Sequence, residues 1–483
     1  MQSHYALAKA DGRLYLDEGL TVRTMHKLYL ERYEPAVAAA LAQARQEHGD
    51  NDRDEAAPVP VVKEDFYRER FNRFDLAFQH PAVDSCSTCD ELKIELATAA
   101  DEDVAAEIRA KRHAHLAEAD RAYAMRSHDR DLARASRDGE PDWKVPVEER
   151  ATWDGTEFLC SDMAAVLQTP KVSTNEAFYL RKLRTFLYGL YSGQAQTHTL
   201  AFWDETIADK GSNACLSAAY QHFTVRNTGA NALAWWVDNT SAQIKNKSGI
   251  LFAEELTRVD GFNFFRRVDL RCSPPGHTFM ENDRMFGVLS TKAKHSPMIA
   301  SSKSWLRLAT TIRNPGVHTL WMQQAFFRNF QTYLNALYTI PSKQFTNIDG
   351  DKVAIMKIRW FNFGIGEDDD GSLVAHPGVV WYRMSLKPDE PWKKIRLVER
   401  ADRAAAGSID DPTYTLFTEP IQLEPAKVAD LAKFRKWVPK KYHGLYPDPD
   451  RKREGEEDQE SDDGGDMEER DEDQEMAGES QER

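Results

Sequence analysis

The sequence has few cysteines and no long apolar run, and each absence excludes a class of protein. Five cysteines are an odd number for a chain of 483 residues. This argues against a disulfide framework and for a reducing compartment. No apolar run approaches the roughly 20 residues of a membrane span, and the N-terminus lacks a signal-peptide pattern. We therefore expect an intracellular protein with no membrane partner.

The excess of acidic residues is concentrated at one end of the chain. The net charge is −15, but residues 450–483 alone hold 17 acidic and 5 basic residues, a net of −12, which leaves −3 for residues 1–449. This tail cannot bury a core, so we expect it to be disordered and suited to binding basic proteins. Within the body, residues 240–330 hold 13 Lys and Arg against 6 Asp and Glu. Such a stretch either binds a polyanion or is an ordinary solvated face.

Changes in pattern along the chain predict four regions. Residues 1–150 are predicted to be helical, with the clearest helix at 92–135 and linkers at 48–60 and 136–149. Residues 331–449 are predicted to form an α+β extension, and 450–483 form the acidic tail. Residues 151–330 alternate between predicted strands (158–167, 178–191, 198–205, 233–238 and 262–270) and predicted helices (212–223, 243–259 and 281–292). The order β-β-β-α-β-α-β-α predicts an α/β protein with the mixed sheet of the ribonuclease-H-like fold.

Three aspartates stand at or just past the ends of apolar runs. Asp162 and Asp238 each end a predicted strand, and Asp283 follows the Pro-Pro-Gly-His break at 274–277. In the predicted fold the first and fourth strands are central neighbours, so we expect Asp162 and Asp238 to lie side by side. Three converging carboxylates suit a pair of Mg²⁺ or Mn²⁺ ions that act on phosphodiesters. The alternative is that they are caps and turn residues, which are common in an acidic chain.

Cys86-x-x-Cys89 is a zinc half-site or a redox pair. A redox pair normally opens a helix in a βαβ setting, and none is visible here. His113 and His115 follow on a predicted helix, where they face different ways, so we expect only one of them to reach a zinc ion. His80, His128 or an acidic residue would then complete four ligands. The alternative is two reduced thiols.

Several segments resemble an uncharacterised family of ribonuclease-H-like domains that is widespread in transposable-element-derived proteins of eukaryotes. The resemblance covers nearly the whole chain up to about residue 447. The segments that carry it are FYRERFNRFDLAFQHPAVDSCSTCDELK (66–93), SDMAAVLQTPKVSTNEAFYLRKLRTFLYGLY (161–191), FWDETIADKGSNACLSAAY (202–220), WWVDNTSAQIKNK (235–247), PPGHTFMENDRMFGVL (274–289) and EPAKVADLAKFRKW (424–437).

The resemblance implies a DDE/D-type nuclease core of the kind that transposases use. Asp162 and Asp238 match its first-strand and fourth-strand carboxylates, Asp283 matches its last metal ligand, and His277 matches the histidine before that ligand. Trp203-Asp204-Glu205 matches its third strand, with Glu205 as an alternative fourth carboxylate. The resemblance also implies a nuclear protein that acts on DNA as a multimer. One departure concerns activity, because the family's Gly-Gly-Gln-Asn-type run after the fourth-strand aspartate is replaced by residues 239–246, which lack glycine.

Two further functions stay open at the level of sequence. One is a catalytically inactive, domesticated protein that binds nucleic acid or chromatin, and the other is a scaffold that uses the Cys-x-x-Cys segment for partners. No helix-turn-helix or two-Cys two-His finger precedes the core. We therefore expect either that the chain is a fragment of a longer element or that another subunit directs it to DNA. The cations predicted to bind phosphates, with surface solvation as the alternative, are Lys245, Lys247, Arg266, Arg267 and Arg271.

Overall fold

The computed structural model describes most of the chain between residues 14 and 448. The described residues are 14–16, 20–33, 62–74, 76–78, 86–136, 153–226, 229–313, 316–342 and 344–448. The linker predicted at 48–60 and the tail at 450–483 lie outside them. No helix within these ranges is long and apolar enough to cross a membrane.

The described parts of the N-terminal region form four helices and two short strands. Its elements are β1 (Leu14–Leu16), α1 (Val22–Tyr33), α2 (Glu64–Phe71), β2 (Leu76–Phe78), α3 (Ser87–Ala97) and α4 (Glu102–Ala135). The single helix predicted at 92–135 is two helices. The Asp101 side chain begins α4 by accepting a hydrogen bond of 2.9 Å from the Val104 N–H, and two acidic residues in the first turn favour the same start.

A ten-stranded mixed sheet forms the centre of the molecule. Its strands are β3 (Trp153–Met163), β4 (Leu167–Thr169), β5 (Leu183–Ser192), β6 (Thr197–Asp204), β7 (Ala230–Val237), β8 (Arg267–Cys272), β9 (Gly316–Trp321), β12 (Trp360–Phe363), β15 (Val379–Arg383) and β16 (Lys393–Arg396). The order is β16-β15-β12-β8-β7-β3-β5-β6-β9, and β4 pairs with β5. The parallel pairs are β3 with β7, β7 with β8, and β6 with β9. The other pairs are antiparallel. Two small hairpins join β10 (Phe345–Thr346) to β11 (Lys352–Val353) and β13 (Ile365–Glu367) to β14 (Leu373–Ala375).

Helices cover both faces of this sheet. They are α5 (Ser212–Arg226), α6 (Lys247–Glu255), α7 (Glu281–His295), α8 (Ser302–Thr310), α9 (Phe330–Leu337) and α10 (Pro425–Lys433). Alternation along β3 and β7 separates two cores, because successive strand side chains point to opposite faces. Leu159 and Trp235 pack on the face covered by α5, α6 and α9. Phe158 and Trp236 pack on the face that α4 covers, together with Met280 at the start of α7.

The sheet continues past the domain boundary predicted at residue 330. β12 pairs with β8 from Trp360 opposite Arg271 to Phe363 opposite Val268, and β15 and β16 extend the sheet further. Much of the region 331–449 therefore belongs to the same sheet and core as residues 151–330. The second predicted strand also starts later than expected, at Leu183, because residues 176–178 form a 3₁₀ turn.

Candidate metal centres

Asp162 and Asp238 occupy matching positions on two central strands. β3 and β7 are parallel and in register up to Ser161 opposite Val237, so the next residues along are Asp162 and Asp238. Residues in register on parallel strands direct their side chains to the same face. By alternation, that face is the one on which Phe158 and Trp236 pack, beneath α4 and α7. The parallel pairing thus ends one residue before each of these two aspartates.

The first turn of α7 is anchored above the same strand ends. The Asn282 amide donates to the Cys160 carbonyl at 2.9 Å and to the Gly189 carbonyl at 3.0 Å. Gly189 is the residue opposite Asp162 in the β3–β5 pairing. A Cβ at Gly189 would lie 2.8 Å from the Phe286 ring, so the glycine permits the close approach of α7. Asp283, the next residue after Asn282, is thereby held near Asp162.

The three carboxylates share one electrostatic environment. Burial raises the pKa of Asp162 to about 7; a hydrogen bond from Gln243 opposes this shift, and the carboxylates of Asp283 and Asp238 reinforce it. Gln243 Nε2 donates to Asp162 Oδ1 at 3.0 Å. Asp283 Oδ2 also accepts from the Met280 N–H at 2.7 Å, and Asp238 Oδ1 from the Asn239 N–H at 2.7 Å. Repulsion among neighbouring, partly buried carboxylates is relieved by a proton or a cation.

The loop after Asp238, residues 239–246, is ordered by its own side chains. The Asn246 side chain accepts from the Gly249 N–H at 3.0 Å and donates to the Ser241 carbonyl at 2.8 Å. Lys245 is fully enclosed and donates to the Met356 carbonyl at 3.0 Å. Burial lowers the pKa of this lysine to about 8. The loop thus holds Gln243 against Asp162.

A second centre consists of Cys86, Cys89, His115 and His277. One potential ligand atom from each lies within 4.8 Å of all the others. Cys86 Sγ lies 3.3 Å from His115 Nε2, Cys89 Sγ lies 3.5 Å from His277 Nε2, and the two Nε2 atoms are 3.0 Å apart. Among the described residues, only this group of His, Cys, Asp and Glu is so compact. The three aspartates do not form such a group.

The environment of this second centre disfavours charge on its side chains. Burial, followed by the neighbouring Cys86, raises the pKa of the Cys89 thiol to about 11. Burial also lowers the pKa of His115, so the imidazole is neutral at neutral pH. Neutral imidazole is the form that binds metal ions.

Of the histidines considered as metal ligands or catalytic residues, His115 and His277 belong to the cysteine group and His113 does not. His113 is exposed and outside the group, while His115, two residues later, points into it. His277, predicted beside the aspartates, completes the cysteine group instead. It lies 188 residues from Cys89 in the chain, so no local spacing reveals it. The only sequence signal is the Pro-Pro-Gly turn that precedes it.

Four of the five cations predicted to bind phosphates are engaged within the protein. Lys245 is buried, as described above, and Lys247 Nζ donates to the Ser342 carbonyl at 3.1 Å. Arg267 pairs with Asp269 at 2.8 Å, and Arg271 forms a buried ion pair with Asp129. Only Arg266 has an exposed side chain. The predicted set therefore does not form a phosphate-binding surface.

Glu205, the alternative fourth carboxylate, has a structural role. Its two oxygens accept from Lys427 Nζ at 2.7 and 2.8 Å, and Oε1 also accepts from the Arg184 N–H at 2.8 Å. These contacts join the end of β6 to α10. Trp203 of the same strand is buried, and its indole donates to the Asp209 carbonyl at 2.8 Å.

Comparisons with known proteins match part of the chain. Residues 176–351 match a family described as a domain of unknown function (DUF7869). This region runs from the 3₁₀ turn before β5 to the loop after β10, and it includes Asp238, His277 and Asp283. Asp162 and the two cysteines lie before it. No curated protein matches the chain.

Proposed function

We propose that this protein has a ribonuclease-H-like nuclease or transposase core, in which Asp162, Asp238 and Asp283 hold divalent cations for phosphoryl transfer on nucleic acid, most simply DNA. The observation that carries the proposal is the pairing in register of β3 with β7, which sets the first two aspartates side by side, with α7 anchored over them. Substrate, nuclear location and assembly into multimers are parts of the same proposal.

The order of the central strands supports this proposal. Five neighbouring strands have the order β6-β5-β3-β7-β8. The pairs β6–β5 and β5–β3 are antiparallel, and the pairs β3–β7 and β7–β8 are parallel. Along the chain, β3, β5 and β6 form a meander, and β7 and β8 are then added parallel to β3 through helices. This arrangement is the one expected of a ribonuclease-H-like sheet. β9 and β12 extend it at its two edges.

The residues at the strand ends suit Mg²⁺ or Mn²⁺. Both ions prefer hard oxygen ligands, and carboxylates bind them together with water and substrate phosphates. When bound, such cations activate a water molecule or a 3′-hydroxyl and stabilise the leaving oxygen. The chain's own contribution is positional, because Asn282 holds the start of α7 and Gln243 orients Asp162.

A nuclease assay with matched variants tests the proposal. The full chain should nick or cleave DNA only with Mg²⁺ or Mn²⁺. Asp162→Asn and Asp238→Asn should each lower the rate by about 100-fold or more, since even partners that merely support metal ligands contribute 10- to 100-fold. Glu205→Gln is the control, because Glu205 follows β6, two strands away from β3, and its carboxylate is already paired with Lys427. It should keep its activity.

Two results would overturn the proposal. One is cation-dependent cleavage that survives in the Asp162→Asn, Asp238→Asn double variant, which would place the activity elsewhere or in a contaminant. The other is binding of DNA without cleavage under any of these conditions. The second result would favour a domesticated binding protein that has lost its chemistry.

A further inference from the structure

We propose that Cys86, Cys89, His115 and His277 form a structural zinc site that fastens the N-terminal helices to the loop before α7. The four ligands come from three segments of the chain. Cys86 and Cys89 lie at the start of α3, His115 lies in α4, and His277 lies in the loop between β8 and α7. The site therefore joins the helical region to the sheet.

The distances between the potential ligand atoms are compatible with one tetrahedral ion. Zinc binds cysteine sulfur at about 2.3 Å and histidine nitrogen at about 2.0–2.1 Å, so ligand atoms around one ion are about 3.3–3.8 Å apart. Three of the six separations, 3.0, 3.3 and 3.5 Å, are within about 0.3 Å of this geometry, and all four ligand atoms lie within 4.8 Å of one another. Two thiolates and two imidazoles in this arrangement favour zinc over Mg²⁺ or Ca²⁺, which prefer oxygen.

The loop that carries His277 is shaped around the first cysteine. Gly276 has a φ of +72°, and a Cβ there would lie 2.7 Å from both Cα and Cβ of Cys86. A side chain would thus be strained by its backbone and would also displace Cys86. Cys86 Sγ also lies 3.5 Å from the Pro275 carbonyl oxygen. The loop and the start of α3 therefore fit closely at the point where the ligands meet.

The site is closed, which indicates a structural ion. Cys86 and His277 have relative exposures of 3% and 0%, and four protein ligands fill the tetrahedron. Catalytic zinc sites instead keep one position for water or substrate. A redox role for the two cysteines does not account for two imidazoles directed at the same point.

Metal binding here also bears on the aspartate site, and this step rests on the function proposed above. His277 and Asp283 are six residues apart, at the two ends of the segment that enters α7. The same segment is tied to α4 by Arg130, which donates to Glu281 at 2.8 Å. Zinc would therefore fix the start of α7 from one side, while Asn282 fixes it from the sheet.

Metal analysis of the full chain, purified under reducing conditions with zinc supplied, tests the site directly. The wild-type protein should hold about one zinc per chain. His277→Gln and Cys89→Ser should each lose most of it. His113→Gln is the matched control, because it removes an exposed histidine from α4, the helix that carries His115. This variant should keep the zinc. Equal zinc contents in His113→Gln and His277→Gln would overturn the assignment, as would a wild-type protein without zinc.

A measurement on the wild type remains decisive if a ligand variant does not fold. Cobalt exchanged into the protein should give the visible spectrum of a tetrahedral ion with two thiolate ligands. A six-coordinate spectrum, or one without thiolate charge transfer, would overturn the proposal. Gly276→Ala should weaken cobalt retention, whereas Gly287→Ala should not, because a Cβ at Gly287 meets nothing within 4 Å. These readouts are independent of cleavage, so either proposal can fail without the other.

Discussion

At the scale of single residues, His222 in α5 should make folding sensitive to acid. Its ring is buried, and Nδ1 lies 3.1 Å from Thr199 Oγ1. Burial, together with the nearby Arg226 and His318, lowers its pKa from 6.5 to about 3. Between these values the unfolded chain binds the proton and the folded protein does not. Stability should therefore fall as the pH falls from about 6.5 towards 3.

The test compares the pH dependence of unfolding in two variants. The stability lost by the wild type on acidification should exceed the loss in His222→Gln by up to about 1.4 kcal/mol per pH unit within this window. Urea unfolding at several pH values measures the difference. His128→Gln serves as the control, since that side chain is 76% exposed, and its curve should parallel the wild type. Parallel curves for His222→Gln would show that this histidine does not titrate as expected.

Residue patterns located the aspartates better than they located the second centre. A carboxylate at the end of an apolar run is a local signal, and strand order then relates Asp162 to Asp238 over 76 residues. His277 has no such signal, because its partners are Cys86, Cys89 and His115 in distant helices. Likewise, the sequence shows the charge of Arg271 but not the buried carboxylate of Asp129 that it meets.

At the scale of elements, the ion pair between Arg271 and Asp129 should hold α4 against β8. Both side chains are 8% exposed. The Trp236 indole also donates to Asp129 at 2.7 Å, and the Arg271 guanidinium lies 4.3 Å from the centre of the Trp360 ring. Removing Arg271 leaves the buried Asp129 carboxylate without its closest cation, and removing Asp129 leaves Arg271 with only the more distant Asp269 carboxylate, at 3.8 Å. Asp129→Asn or Arg271→Met should therefore cost about 3 kcal/mol of stability.

A double-mutant cycle measured by urea unfolding tests this pairing. The double variant should be destabilised by less than the sum of the two single variants, since neither charge then remains buried alone. Arg266→Gln is the control, because the Arg266 side chain is exposed, and this variant should leave the free energy of unfolding nearly unchanged. If Arg271→Met weakened DNA binding and left stability intact, Arg271 would be the phosphate ligand that its sequence suggests.

The types of the main elements follow from sequence, and their ends depend on tertiary contacts. Predicted helices at 212–223, 243–259 and 281–292 correspond to α5, α6 and α7. The helix predicted at 243–259 is longer at both ends than α6, which the structure shows in its place. At the start, residues 243–246 form instead the loop that reaches Asp162 and caps α6. The periodicity of apolar residues in this segment does not distinguish a helix from a compact loop that leads into a helix.

At the scale of the molecule, the structure joins regions that the sequence separates. β8 and β12 are about 90 residues apart in the chain and pair through backbone atoms. Backbone pairing leaves no mark in amino-acid composition, so the composition around residue 330 does not show that the two strands are neighbours. Phe361, Phe363 and Val380 enter the same core as Leu159 and Trp235. The ten-stranded sheet is thus one structural unit across the predicted boundary.

A chain that ends at residue 330 should therefore fail to fold cooperatively. It would lose α9 and leave β8 as an unpaired edge next to an apolar face, which promotes aggregation. A chain that ends at residue 448 keeps every described element and is the matched control. Urea unfolding of the control should give one transition with the slope of the full chain, because the slope follows the surface exposed on unfolding. Two results would mean that residues 331–449 are an independent domain. One is a single sharp unfolding transition in the chain that ends at 330. The other is unfolding of the full chain in two separate steps, one for each side of this boundary. The sheet predicts the opposite, since breaking the β8–β12 pairing removes backbone partners and core contacts together.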